Sequence, residues 1–258
     1  MRLYLHFLAI GLKSQMQYKA SFLMTLFGHA LASFTALWGI AFMLQRFHQV
    51  DGFTFSEVLL CFASVLMAFS LAECFARGFD RFPVMIGNGE FDRILVRPRS
   101  VIFQVLASKP DFTRLGRLVQ AVLVLSYAMP SSGVVWTWDK LLTLASMILS
   151  GAVLFSSLFL LYAGLCFFTI EGLEVMNLLT DGGREFGSYP LSIYGPEVLR
   201  FFTYVVPLAL VQYYPLLYLL DRGGGWLWML APLPACLFAL PSYAVWRIGL
   251  RHYRSVGS

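Results

Sequence analysis

A chain of 258 residues with 59% hydrophobic and 13% charged positions, and a mean hydropathy of +0.71, carries more apolar sequence than one water-soluble core absorbs. Its net charge of +5 is not a nucleic-acid footprint, because the basic residues stand beside the ends of apolar runs, where they set orientation and meet anionic headgroups. Cys61, Cys74, Cys166 and Cys236 lie inside apolar runs with neither CxxC nor zinc spacing, so they read as packing residues rather than a disulfide or metal framework.

Residues 1–20 do not read as a cleavable signal, since Lys13 and Lys19 interrupt the apolar region such a signal needs. Leu5, Leu8 and Leu12 share a helical stripe, apart from Lys13, Gln17 and Lys19. That pattern fits an interfacial amphipathic helix on the inner leaflet, and it also fits an extension of the first span.

About 20 apolar residues cross a bilayer. Runs of that kind cover 21–44 and 58–79. Between the second run and the third lies a charged segment, 80–100. Eight of the nineteen Lys and Arg residues fall between Arg77 and Arg117, so the segment is expected on the cytoplasmic side. A solvated positive-inside connector would have the same charge, but the pattern here is more ordered. Gly87 and Gly89 permit a sharp exit from the span. Glu90 and Asp92 fall in the first turn of a short helix, where acidic side chains suit the dipole. Phe91 and Leu95, four apart, are expected on one outward face as a knob for a partner groove, and Pro98 stops the helix.

Further runs cover 118–135 and 141–168. The next region resists counting. Glu171, Glu174, Asp181, Arg184, Glu185 and Glu197 make 171–198 too polar for a lipid-facing helix, and Pro207 and Pro215 break the run after it. Either 171–198 is a cytoplasmic loop followed by a kinked span over 199–220, or a shielded fifth span over 170–188 precedes two short helices, 195–219, that dip in and return outside. The last run, 226–246, has Trp226 and Trp228 at one end and Trp246 at the other, the expected interfacial anchors. The chain is thus read as one all-α integral membrane domain over 1–258 with six transmembrane helices. Both termini and the 80–100 segment lie inside; Arg46, Lys140 and the Asp221–Arg222 turn lie outside.

Lone ionisable residues in apolar runs are functional candidates. Glu73 stands four before Arg77, the favourable order for an ion pair, which accounts for it. Glu171 and Glu174 share a helix face; they line a route for a cationic or amphiphilic substrate, or bond neighbouring helices. His29 has Ser and Thr neighbours enough to be simply hydrogen-bonded. HExxH, a Ser–His–Asp order and GxxxxGK[ST] are absent, so no catalytic residue, metal site or ATP site is expected in this chain.

Three motifs in order carry a resemblance. GEFDRILVRP (89–98) resembles the G-x-F-D-x-x-L-x-R-P signature of ATP-binding-cassette export permeases, and more narrowly their small six-span branch, often encoded as two permeases with one ATPase. SYPLSIY (188–194) and VVPLALVQYYPLL (205–217) are similar to that branch's patterns before its last span, with Gly195 before Pro196 where a bare proline is more usual. The resemblance implies a coupling helix that docks on a nucleotide-binding subunit, with Glu90, Phe91, Asp92, Leu95, Arg97 and Pro98 as the coupling contacts. It favours the re-entrant reading of 195–219. Glu171 and Glu174, with Tyr213 and Tyr214, are the candidate translocation route. The implied partners are an ATPase subunit that holds ATP and Mg, a second and related permease, and membrane lipid of the bacterial inner membrane. An aromatic content of 16% suits an amphiphilic, drug-like or lipid-like cargo. The alternative is a secondary transporter with no ATPase partner, for which only the Pro207/Pro215 break speaks.

Overall fold

The computed structural model describes residues 2–47, 49–169 and 174–254. Among them there is no strand; helix follows helix. Helix α1 (Arg2–Gln15) passes through a single 3-10 turn, Met16–Tyr18, into α2 (Lys19–Phe47), so that Phe7–Phe42 forms one apolar helical stretch of 36 residues. The helix expected over 1–20 is therefore joined to the first long helix rather than set apart from it.

Helix α3 (Phe55–Asp80) begins where the Thr54 N–H donates to the Glu57 carboxylate at 2.7 Å, the reciprocal half of a capping box. It is the buried centre of the bundle, packed against α7 (Leu115–Ser131) and α8 (Trp138–Leu165). Between α3 and α7 the chain folds into three short helices, α4 (Phe82–Gly87), α5 (Glu90–Leu95) and α6 (Val101–Leu106). Gly89, at φ +67°, supplies the left-handed turn from α4 to α5.

After α8 come α9 (Glu174–Gly187), α10 (Pro196–Tyr204), α11 (Leu208–Val211) and α12 (Tyr213–Leu219). The segment read either as a kinked span over 199–220 or as two short helices over 195–219 is broken: α10 and the α11–α12 pair meet at an 87° bend. The break falls at Pro207, which lacks an N–H and crowds the preceding turn. Three further helices, α13 (Gly225–Leu230), α14 (Pro232–Ala235) and α15 (Ala239–His252), continue one another to the end. Helices α8 and α15 cross closely. A Cβ on Gly164 would stand 2.8 Å from the Trp246 nitrogen, and one on Gly249 would stand 2.7 Å from the Gly164 oxygen, the small-residue contact typical of membrane helices.

By length and composition, four helical stretches can cross a membrane: Phe7–Phe42, Phe55–Gly87, Trp138–Leu165 and Gly225–His252. The bent α10–α12 unit makes a fifth if it is one span. Helix α7 is apolar but has 17 residues, about 26 Å.

The contacts define two ends. At one, Tyr4 of α1 donates to the Phe75 carbonyl, and α5 meets the residues after α15. At the other, Arg222 pairs with Glu57 at 2.8 Å and Lys140 with Asp221 at 2.7 Å. The start of α1, the residues just after α15 and the 80–100 segment therefore share one end. Trp246 is not the interfacial anchor expected of it. It is 1% exposed and stacks against Phe79, Phe82 and Phe167, because α15 crosses α8 at that level and the indole fills the crossing.

Candidate functional site

Helix α5 is six residues long, too short to be stable alone, so its position depends on what it packs against. Phe91 is fully buried. Its ring meets Phe82 at 5.0 Å, Tyr253 at 4.9 Å and Phe167 at 5.6 Å, edge-on geometries that aromatic pairs favour. Ile94 is buried beside it, whereas Leu95 is 39% and Val96 84% exposed. The expected knob of Phe91 with Leu95 is thus corrected. Four apart, Leu95 lies on the same side of the helix as Phe91 but at the edge of the inward face, so Phe91 is covered and the exposed apolar pair is Leu95/Val96.

Arg93, Arg97, Pro98 and Arg99 are exposed around that pair. Asp92 accepts from the Tyr253 hydroxyl at 3.0 Å. Burial, and then the hydrogen bond to Asp92, push the Tyr253 phenol up to about 12. Glu90 lies 3.9 Å from Lys109. The segment is accordingly a fixed platform with an apolar, cationic tip.

A second cluster holds this end together. Glu73, 1% exposed, faces Arg77 at 2.6 Å, Arg117 at 2.8 Å and Arg114 at 3.4 Å. The i,i+4 pair read from the sequence is present, but it is one third of a hub joining α3 to the start of α7. The sequence carried no local signal for Arg114 and Arg117, which reach Glu73 only through the fold. His29 Nδ1 lies 3.2 Å from Arg114 Nη1; facing a guanidinium donor, that nitrogen acts as acceptor. Beside the hub is a recess of about 580 Å³ lined by Arg77, Arg81, Lys109, Arg114 and His29 among others. Asp111 accepts from the Thr113 N–H and hydroxyl. Burial raises its carboxyl, but those bonds and Arg114 outweigh it and hold the group below the usual carboxylate range.

Helix α9 is split lengthwise. Met176, Thr180, Gly183 and Gly187 are buried, while Glu174, Asn177, Asp181 and Glu185 are exposed at the three- and four-residue spacing of one helix face. Gly187 accepts from the Cys61 thiol, and the Arg184 guanidinium sits 5.4 Å over the Phe69 ring. Since Phe69 is near the middle of α3, Arg184 and its contact Glu185 are level with the centre of the bundle. Asp181, Arg184 and Glu185 were counted from the sequence for the polarity of 171–198 but not as site residues, although Glu174, Asp181 and Glu185 follow a helical period.

Of the expected route residues, Glu171 lies outside the described residues. Glu174 is exposed at the start of α9. Tyr213 and Tyr214 are half-buried in α12, with rings 5.5 Å apart, and Tyr214 stacks on Trp228 at 5.6 Å. The approach to α12 comes from beyond the far end of α9, where Gln212, just before α12, donates to the carbonyl of Tyr189, just after α9, at 2.9 Å. Glu174 is a helix length away, about 21 Å for 14 residues, so the structure does not bring it to the tyrosines. Among the described residues, no group of three or more His, Cys, Asp or Glu side chains could hold a metal ion.

Comparison with family models gives a match to the ABC-2 family transporter protein over residues 30–257. No curated protein and no solved structure matches. The family match covers most of the chain and takes in every helix from α3 onward. The chain therefore belongs to the ABC-2 transporter family, and it is a multi-pass membrane transport subunit rather than a catalytic one.

Proposed function

We propose that this chain is the permease half of an ATP-driven exporter, with the α4–α6 platform docking on a separate cytoplasmic ATPase that holds ATP and Mg. The observation that carries the reading is the contrast within α5. Phe91 and Ile94 are locked into the bundle, while Leu95 and Val96 stand out between Arg93, Arg97 and Arg99. Exposed apolar side chains ringed by one sign of charge mark a contact site, here for a cleft with an acidic rim. Anchoring by α15 and the aromatic cluster would pass a push on that tip directly into the last span.

In this reading both termini face the cytoplasm and α9 is the fifth of six crossings, with 195–219 re-entrant on the outer side. The exposed carboxylates of α9 cannot face lipid at that depth without a large cost. They line a polar route shared with a second, related permease, through which an amphiphile bearing a positive charge passes. The basic recess beside Glu73 suits anionic headgroups of the inner leaflet. The test is purification of the chain with the candidate ATPase, followed by ATP turnover with and without substrate. Loss of the complex on Val96→Asp supports the platform, and an unchanged complex rejects it.

A further inference from the structure

Away from the α9 face, a groove of about 400 Å³ opens on the side of the bundle between α2, α3 and α7. Phe34, Trp38, Phe55, Leu123 and Tyr127 line it, and its polar floor is Gln120. No lining residue is charged. Gln120 is 2% exposed, and neither its Nε2 nor its Oε1 has a hydrogen-bond partner among the described residues. A buried amide with both ends unmade is costly, and native structures satisfy such groups. Gln120 lines the groove, so a partner can reach it from there.

The chemistry of the missing partner follows from the two atoms. Nε2 needs an acceptor and Oε1 needs a donor, so the ligand must do both, as a hydroxyl or an N–H amide does. An acyl chain does neither, and a phospholipid ester only accepts. With no charge in the lining, a charged head would be desolvated without compensation. The rings around the rim suit an aromatic or aliphatic body. From Gln120 to Tyr127 is seven residues of helix, about 10 Å, and the volume is that of a small-molecule site.

We infer that this groove binds an uncharged amphiphile dissolved in the membrane, its amide or hydroxyl head on Gln120 and its body along Phe34, Trp38 and Tyr127. The site is separate from the acidic face of α9 and does not rest on the export reading.

The test uses two photoprobes with the same diazirine-bearing body, an N-hexyl benzamide and the matching hexyl benzoate, on the full chain in phospholipid nanodiscs. Labelled peptides are mapped by mass spectrometry. The amide should label the Trp38 and Tyr127 peptides about fivefold more than the ester. Gln120→Leu should erase that preference, and Ala41→Phe, which fills the groove but leaves Gln120 in place, should abolish labelling by both probes. Gln120→Leu removes two unpartnered polar atoms, so its melting temperature should equal or exceed the wild type's. Equal labelling by amide and ester in the wild type would mean water or lipid fills the groove and would overturn the inference. So would an amide preference that survives Gln120→Leu, or labelling unchanged by Ala41→Phe.

Discussion

Tyr253, one residue beyond the last helix, donates a 3.0 Å hydrogen bond to Asp92 in α5, joining positions 161 residues apart. The bond exists only while the phenol keeps its proton. The Tyr253 pKa is raised to about 12 from an ordinary value of about 10. Its contribution is therefore complete below about pH 10 and is lost as pH rises through about 12. Tyr253→Phe should cost about 1 kcal/mol and speed amide hydrogen exchange across α5 at neutral pH. Exchange equal to wild type would mean the bond does not hold the platform.

Removing the Phe91 ring should cost about 3–5 kcal/mol, the range for large-to-small changes in a core. Phe91→Ala should therefore lower the melting temperature of the isolated chain in detergent, whereas Val96→Ala, at an exposed position, should leave it within error. If Phe91→Ala is as stable as wild type, the aromatic anchor is wrong.

Glu73→Gln leaves Arg77, Arg114 and Arg117 without their shared counter-charge. Breaking a buried ion cluster by removing one partner costs about 3–5 kcal/mol. The double change Glu73→Gln/Arg117→Gln should recover part of it, since one uncompensated cation is gone. A double variant less stable than Glu73→Gln alone would contradict the hub.

Asp181→Asn and Glu185→Gln neutralise the exposed face of α9. Efflux of a lipophilic cation such as tetraphenylphosphonium by the reconstituted exporter should fall about tenfold, equivalent to 1.4 kcal/mol, with ATPase assembly intact. Unchanged efflux would remove α9 from the route.

Much of the fold was legible because long apolar runs have few ways to be arranged. The helices α3 and α8 fall within a few residues of the runs read at 58–79 and 141–168. What was not legible depends on contacts distant in sequence. Phe91 and Leu95 are four apart and so suggested one outward face, but the partners that cover Phe91, namely Phe167 and Tyr253, come from the residues just after α8 and α15. Trp246 looked like an interfacial anchor by its place in the run; the glycine crossing at Gly164 and Gly249 draws it inside. The 171–198 region was recognised as too polar for lipid, but its level against α3 shows only in the placement of Arg184 over Phe69. Glu73 was read with Arg77 alone because Arg114 and Arg117 are 41 and 44 residues away.

The proposed role of the exposed tip of α5 is to transmit the work of an ATPase. It is tested most directly by reconstituting the chain with its candidate ATPase and measuring ATP turnover and transport in the same vesicles, for wild type and for Leu95→Ala/Val96→Asp. The double variant should insert and melt like wild type, because both side chains are exposed, yet fail to bind the ATPase or hydrolyse ATP without moving substrate. Wild-type turnover and transport from that variant would contradict the account.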